Sequence, residues 1–156
     1  MVKQNLKLMQ NSFLKTMSII FFALLAGQLI FIAIAFFIVT KNPPQSQNDD
    51  MLNIIVPILV GSGLFISNFM FRQLLGKIKN DSSFEIKLEA YRSALIIRYA
   101  LLEGPSIFST VAYLLSGNII FLAFSGVMVL AFMTNMPSRN KATQDLNLSS
   151  IETDKL

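Results

Sequence analysis

Cysteine and histidine are absent from this 156-residue chain, and charged residues make up only 14% of it. Without cysteine there are no disulfides, no Fe–S clusters and no thiol to carry a palmitoyl or prenyl group. Without either residue the common zinc sites lose their ligands, and histidine-based acid–base devices are excluded as well. A soluble domain carries about a quarter of its residues as charges, so this chain has too few to cover a water-facing surface. No P-loop, GxGxxG, GxSxG or HExxH occurs, and no apolar run holds paired carboxylates. The expectation is a protein that is not an enzyme and needs no cofactor.

What the chain has instead is apolar sequence, 53% of its residues, gathered in runs over 17–39, 51–71, 94–116 and 119–136. Each run has about the 17–25 residues that carry an α-helix across hydrocarbon. Helices satisfy their own backbone hydrogen bonds where water is absent, and the alternating segments of a transmembrane barrel are missing. The expected fold is an all-α membrane protein, with four transmembrane helices over 17–136 arranged as two tandem hairpins. A basic cytoplasmic arm over 1–16 and a cytoplasmic tail over 137–156 flank them. The first run is longer than the apolar core of a signal peptide and has no small-residue cleavage site, so it reads as uncleaved.

Lysine and arginine set the orientation. Lys3, Lys7 and Lys15 precede the first run, and Arg139, Lys141 and Lys155 follow the fourth. Arg72, Lys77, Lys79, Lys87, Arg92 and Arg98 lie between the second and third runs or at the third's entrance. Together these are twelve of the thirteen basic residues, and an even number of spans puts all of them on one side. The positive-inside rule makes that side the cytoplasm. The predicted location is the cell inner membrane, multi-pass, with both termini cytoplasmic. Topology accounts for the basic residues, so the expected partners are the bilayer and a homo- or hetero-oligomer, not nucleic acid.

The connections carry local signals. Gly117 suits the residue just past a helix and Asn118 the N-cap of the next, a tight hairpin. Ser82-Ser83-Phe84-Glu85 reads as a capping box with Ser82 as N-cap. Phe84, Leu88, Tyr91 and Leu95 then form one helical stripe, with Glu85, Lys87, Glu89 and Arg92 on the other sides. The third span is therefore expected to begin as a cytoplasmic amphipathic helix. Val2, Leu6, Met9 and Phe13 repeat the pattern in the arm, which suits either a basic helix on headgroups or a frayed end. Pro137 and Ser149-Ser150-Ile151-Glu152 are helix-start signals in the tail.

An internal repeat is also visible. Residues 23–38 and 100–115 match at seven of sixteen positions, pairing Gly27 with Gly104. Asn53-Ile54-Ile55 likewise matches Asn118-Ile119-Ile120, and Gly61 matches Gly126. A duplicated hairpin would give a pseudo-two-fold along the membrane normal, with Gly27 and Gly104 letting the first and third spans approach.

Glu103 is the one acid inside a span, where a charged carboxylate costs several kcal/mol. It sits about 7–8 Å deeper than Arg98 at helical rise. Pro105 removes a backbone donor beside it and frees the carbonyl of Leu101, which predicts a kink or a fresh half-helix there. Pro57 is a second candidate kink. The candidate polar core is Glu103, Arg98, Gln28, Ser106 and Thr110, joined by Ser109, Tyr113, Ser62 and Asn68. Two roles are open for Glu103: a shallow anchor held by Arg98, a hydroxyl or Gln28, or a carrier of a proton or cation.

Ala100-Leu101-Leu102-Glu103, followed by Ile107 and Val111, resembles the carboxylate helix of rotary-ATPase proteolipids, whose duplicated form also has two hairpins. The resemblance implies a proton or Na⁺ carried on Glu103. The chain departs from that family in lacking its dense glycine repeat and in placing the acid in the third span. Its overall pattern is similar to small four-span bacterial membrane proteins of unknown function, which implies no chemistry. The functional expectation is a non-catalytic oligomeric membrane subunit or scaffold, with a small proton- or cation-coupled transporter or channel as the alternative.

Overall fold

A computed structural model describes residues 2–44, 50–78 and 83–148, with side chains from Phe13 onward. Its helices are α1 (Val2–Lys41), α2 (Asp50–Gly76), α3 (Phe84–Ser116), α4 (Ile119–Met133) and α5 (Arg139–Asp145). No strand occurs among the described residues. Three stretches, Phe13–Lys41, Asp50–Gly76 and Phe84–Ser116, are long and apolar enough to cross a membrane. The apolar α4 has 15 residues, a rise of about 22 Å.

The first three helices outrun the apolar runs that predict them, whereas α4 stops at Met133, short of the run over 119–136. α1 is continuous with the basic arm, α2 continues to Gly76, and α3 begins at Phe84. The stripe that predicts the start of α3 is where expected: Tyr91 and Leu95 are buried, with Phe84 and Leu88 packed against the core. Lys87 departs from it, because it is buried rather than turned to the polar side. Ser83, not Ser82, is the N-cap, and its hydroxyl caps nothing. Ser82 and the 149–152 signal lie outside the described residues. The α3–α4 turn follows the sequence. Gly117 is left-handed at φ 72° and donates to the Tyr113 carbonyl at 2.8 Å, while the Asn118 side chain accepts from the Ile120 amide at 3.0 Å. After Pro137, Ser138 caps α5 by accepting from the Lys141 amide at 3.3 Å.

α3 is the common partner. It packs along α2, α4 and α1, whereas α1 and α2 barely touch each other. Two tyrosines hold this arrangement. The Tyr91 ring lies 6.3 Å from Phe13 of α1 and 6.1 Å from Phe71 of α2. Two turns on, Tyr99 lies 5.7 Å from Phe21 of α1 and 5.1 Å from Phe132 of α4, and those two rings stack at 4.9 Å. Such ring pairs contribute about 0.5–1.5 kcal/mol beyond the area they bury. Both hydroxyls reach the C-terminal part of the chain: Tyr91 donates to Asp145 at 3.0 Å and Tyr99 to the Asn135 carbonyl at 3.1 Å. The two halves of the chain are thus packed differently, since α3 and α4 lie closely together and α1 and α2 do not.

The expected packing glycines are not the ones that pack. A Cβ on Gly27, Gly61 or Gly104 would meet nothing within 4 Å. Gln28 and Pro105, one residue further on, are buried instead. Successive helical residues lie about 100° apart, so burying Gln28 and Pro105 turns the preceding glycines outward. Gly63 does the close work. A Cβ there would lie 2.6 Å from the Pro105 ring and 3.1 Å from the Leu101 carbonyl oxygen. That carbonyl is the one Pro105 leaves without its helical donor. The Gly63 backbone can approach it only because it has no side chain, in the manner of a Cα–H···O contact. Neither Pro57 nor Pro105 begins a new half-helix: both lie inside α2 and α3, which run through them.

Gly63→Val is expected to lower stability in detergent by about 1–3 kcal/mol through overpacking, whereas Gly27→Ala and Gly104→Ala should not destabilise. Thermal unfolding of the three purified variants checks the contrast.

Candidate functional site

Of the predicted polar residues, α3 and α4 bring together only the hydroxyls. Ser125 Oγ lies 2.8 Å from Thr110 Oγ1 and 3.2 Å from Ser106 Oγ, and donates to the Ser106 carbonyl at 3.1 Å. Thr110 donates to that same carbonyl at 3.0 Å, and Ser109 to the Pro105 carbonyl at 2.7 Å. All four side chains are buried. Ser125 was not among the predicted residues, although it is the one hydroxyl in the otherwise apolar α4. A single hydroxyl in so apolar a helix is the signal that finds it.

Gln28 shares their level without joining them. Counting seven residues from the Phe21–Tyr99–Phe132 contact leads to Gln28 on α1, Ser106 on α3 and Ser125 on the antiparallel α4. Seven residues are two turns, roughly 10 Å along the axes, so the three form one layer. Gln28 is 2% exposed, and neither its Nε2 nor its Oε1 has a partner. An unsatisfied buried amide costs about 1–3 kcal/mol.

Glu103 and Arg98 do not meet. Arg98 donates from Nη2 to Asn68 of α2, and its guanidinium lies 4.4 Å over the Phe71 ring. Five residues on a helix turn through about 140°, so Arg98 faces α2 while Glu103 looks elsewhere. Glu103 is half-buried on the flank of α3, and no hydrogen bond or ion pair joins it to another described residue. Ala100, Gly104 and Ile107 around it are exposed. Ser62 and Asn68 bond to carbonyls of their own helix, of Leu59 at 3.0 Å and Leu64 at 2.9 Å. Tyr113 is buried, and none of these groups reaches Glu103.

A second polar feature lies where α2, α3, α4 and α5 converge. A cavity of about 240 Å³ is lined by Phe71, Leu95, Arg98, Met136, Lys141 and Asp145, with Tyr91 and the end of α4 completing it. The Lys141 ammonium donates to the carbonyls of Thr134 and Met136, the latter at 3.4 Å, which ties α5 under the end of α4. Sequence reasoning missed Lys141 and Asp145 because only the fold of the tail brings them to Arg98. No group of three or more acidic side chains converges as a metal site among the described residues. No protein-family model, curated protein or solved structure matches the chain.

Ser125→Ala removes the central hydroxyl of the buried cluster and is expected to cost about 0.6–1.7 kcal/mol, the range of interhelical hydrogen bonds in membranes. Gln28→Leu should act in the opposite direction and raise the melting temperature, because it removes a desolvated amide without losing a bond. Glu103→Gln breaks no hydrogen bond or ion pair among the described residues and should leave the melting temperature of the detergent-solubilised protein near that of wild type. Differential scanning fluorimetry of the three variants reads all three signs.

Proposed function

We propose that the chain is a four-span protein of the cell inner membrane, with both termini in the cytoplasm, acting as a non-catalytic subunit or scaffold of a larger membrane assembly. Three helices have the length and apolarity to cross. The short α4 pairs with α3 from the Gly117 turn down to the Phe132–Tyr99 contact, so it covers the depth that α3 covers there. Phe13 of α1 and Asp145 of α5 both meet Tyr91, which supports an even number of crossings. The basic flanks make the Tyr91 end cytoplasmic.

The observation that carries the assembly reading is Glu103. A carboxyl in an apolar surface, without a partner among the described residues, acquires a large driving force to meet a donor on another chain. Exposed Ala100 and Gly104 beside it would let a second helix approach closely. A transport path through one chain has less support, because the buried hydroxyls bond among themselves and do not extend to Glu103.

The absence of native cysteine makes the test direct. Ile107→Cys, on the Glu103 face, is expected to give a crosslinked adduct in native membranes, with a second copy or another membrane protein. Phe65→Cys on α2 serves as the comparison. Adducts that persist unchanged when Glu103→Gln is added, or none from Ile107→Cys, would contradict the reading. Liposomes carrying wild type or Glu103→Gln are expected to show equal, background proton flux; flux lost only in the variant would favour the carrier. Reporters fused to either terminus should be active only as cytoplasmic fusions.

A further inference from the structure

The cavity beneath α4 holds charges of both signs that make no direct ion pair with one another. Arg98 stands on one wall, with its guanidinium stacked on Phe71 and its Nε buried without a partner. Lys141 and Asp145 stand on another, one turn apart on α5. Asp145 takes a hydrogen bond from Tyr91 through Oδ2 and makes no ion pair with Arg98 or Lys141. Lys141 gives two donors to the carbonyls that end α4, and an ammonium has three. Cation and anion therefore face one space across a gap, on side chains fixed by contacts behind them.

That arrangement is complementary to a ligand with an anion at one end and a hydrogen-bonding cation at the other. The remaining walls say where such a ligand comes from. Phe71, Leu95 and Met136 are apolar, and Met133 and Leu130, which continue from the cavity along α4, are exposed. A cavity of about 240 Å³ holds roughly eight waters' volume, the scale of a headgroup rather than of a whole lipid. We propose that this cavity binds the phosphoethanolamine group of a phospholipid in the cytoplasmic leaflet. Arg98 and Lys141 take the phosphate, Asp145 takes the ammonium, and the acyl chains follow the exposed face of α4. The proposal rests on the membrane orientation given above and not on the assembly reading. It stands or falls independently of crosslinking at Glu103.

The test uses the full-length protein, purified in detergent and supplemented with defined lipids, read by thermal shift and by native mass spectrometry. Phosphatidylethanolamine is expected to bind at least roughly tenfold more tightly than phosphatidylcholine, whose ammonium has no N–H, and than phosphatidylglycerol, which has no cation. Asp145→Asn keeps an acceptor for Tyr91 and is expected to fold; it should abolish the preference for phosphatidylethanolamine over phosphatidylglycerol. Lys141→Met should weaken both lipids. Soluble phosphoethanolamine separates the sources: weak or no competition against the lipid supports a membrane ligand, and binding as tight as the lipid's overturns that assignment in favour of a free metabolite. Equal binding of the three lipids, or an unchanged preference in Asp145→Asn, overturns the proposal itself.

Discussion

Most of this fold is held through α3, with α4 touching α1 and α2 as a lesser seam. A helix pair in lipid gains little from apolar burial, because its neighbours are as apolar as the solvent, so close packing and interhelical hydrogen bonds must do what hydrophobic collapse does in water. α3 concentrates both. Tyr91 and Tyr99 hold rings from α1, α2 and α4, and their hydroxyls take hold of the chain beyond α4. Pro105 and Gly63 bring α2 close. Ser106 and Thr110 hold Ser125 of α4. α1 and α2 reach each other mainly through α3.

The polar groups of α3 divide by angle around that single helix. The α2 side carries Arg98 and the freed Leu101 carbonyl, each met by a group suited to it: an amide oxygen, an aromatic face and a bare glycine backbone. Another side carries Tyr99, Ser106 and Thr110, which are satisfied by Ser125 of α4 and by the Asn135 carbonyl just past it. Glu103, four residues past Tyr99 and seven before Thr110, lies at the edge of that second side, where no described residue pairs with it. Spacing along the chain suggested that Arg98 and Glu103 belong together, and spacing around the helix separates them. The same rotation explains the glycines: Gly27 and Gly104 do match in sequence, but each precedes the residue that the seam buries.

What was legible in the sequence follows from which rules are local. Helix existence, the Gly117–Asn118 turn and the Tyr91 stripe depend on residues within a few positions of one another, and they appear in the structure as read. The outer ends of α1 and α2 and the start of α3 were underestimated because hydropathy marks where lipid-compatible sequence stops, whereas backbone hydrogen bonding continues into polar sequence until something ends it. The partners of Glu103, Gln28 and Arg98 were not legible, because a partner depends on helix rotation and on which helices are neighbours. The pairing of Asn68 with Arg98, and any role for Ser125 and Asp145, emerge only once α2, α4 and α5 stand against α3.

Rotation also bears on what the repeat can mean. A duplicated hairpin that kept its symmetry would pack α1 on α2 as α3 packs on α4, and would bury equivalent positions. Instead Gln28 is sealed in the α1 seam with its amide unmet, while Pro105, its counterpart in the repeat, meets α2. The Phe21–Tyr99 contact and the approach of Val39 to Gly117 both set α1 one residue out of step with the repeat register. One residue is about 100° of rotation, enough to exchange the buried face for an outward one. Sequence matching and unequal packing are therefore compatible, because helix rotation decides which of the matching positions become core and which are left at the surface.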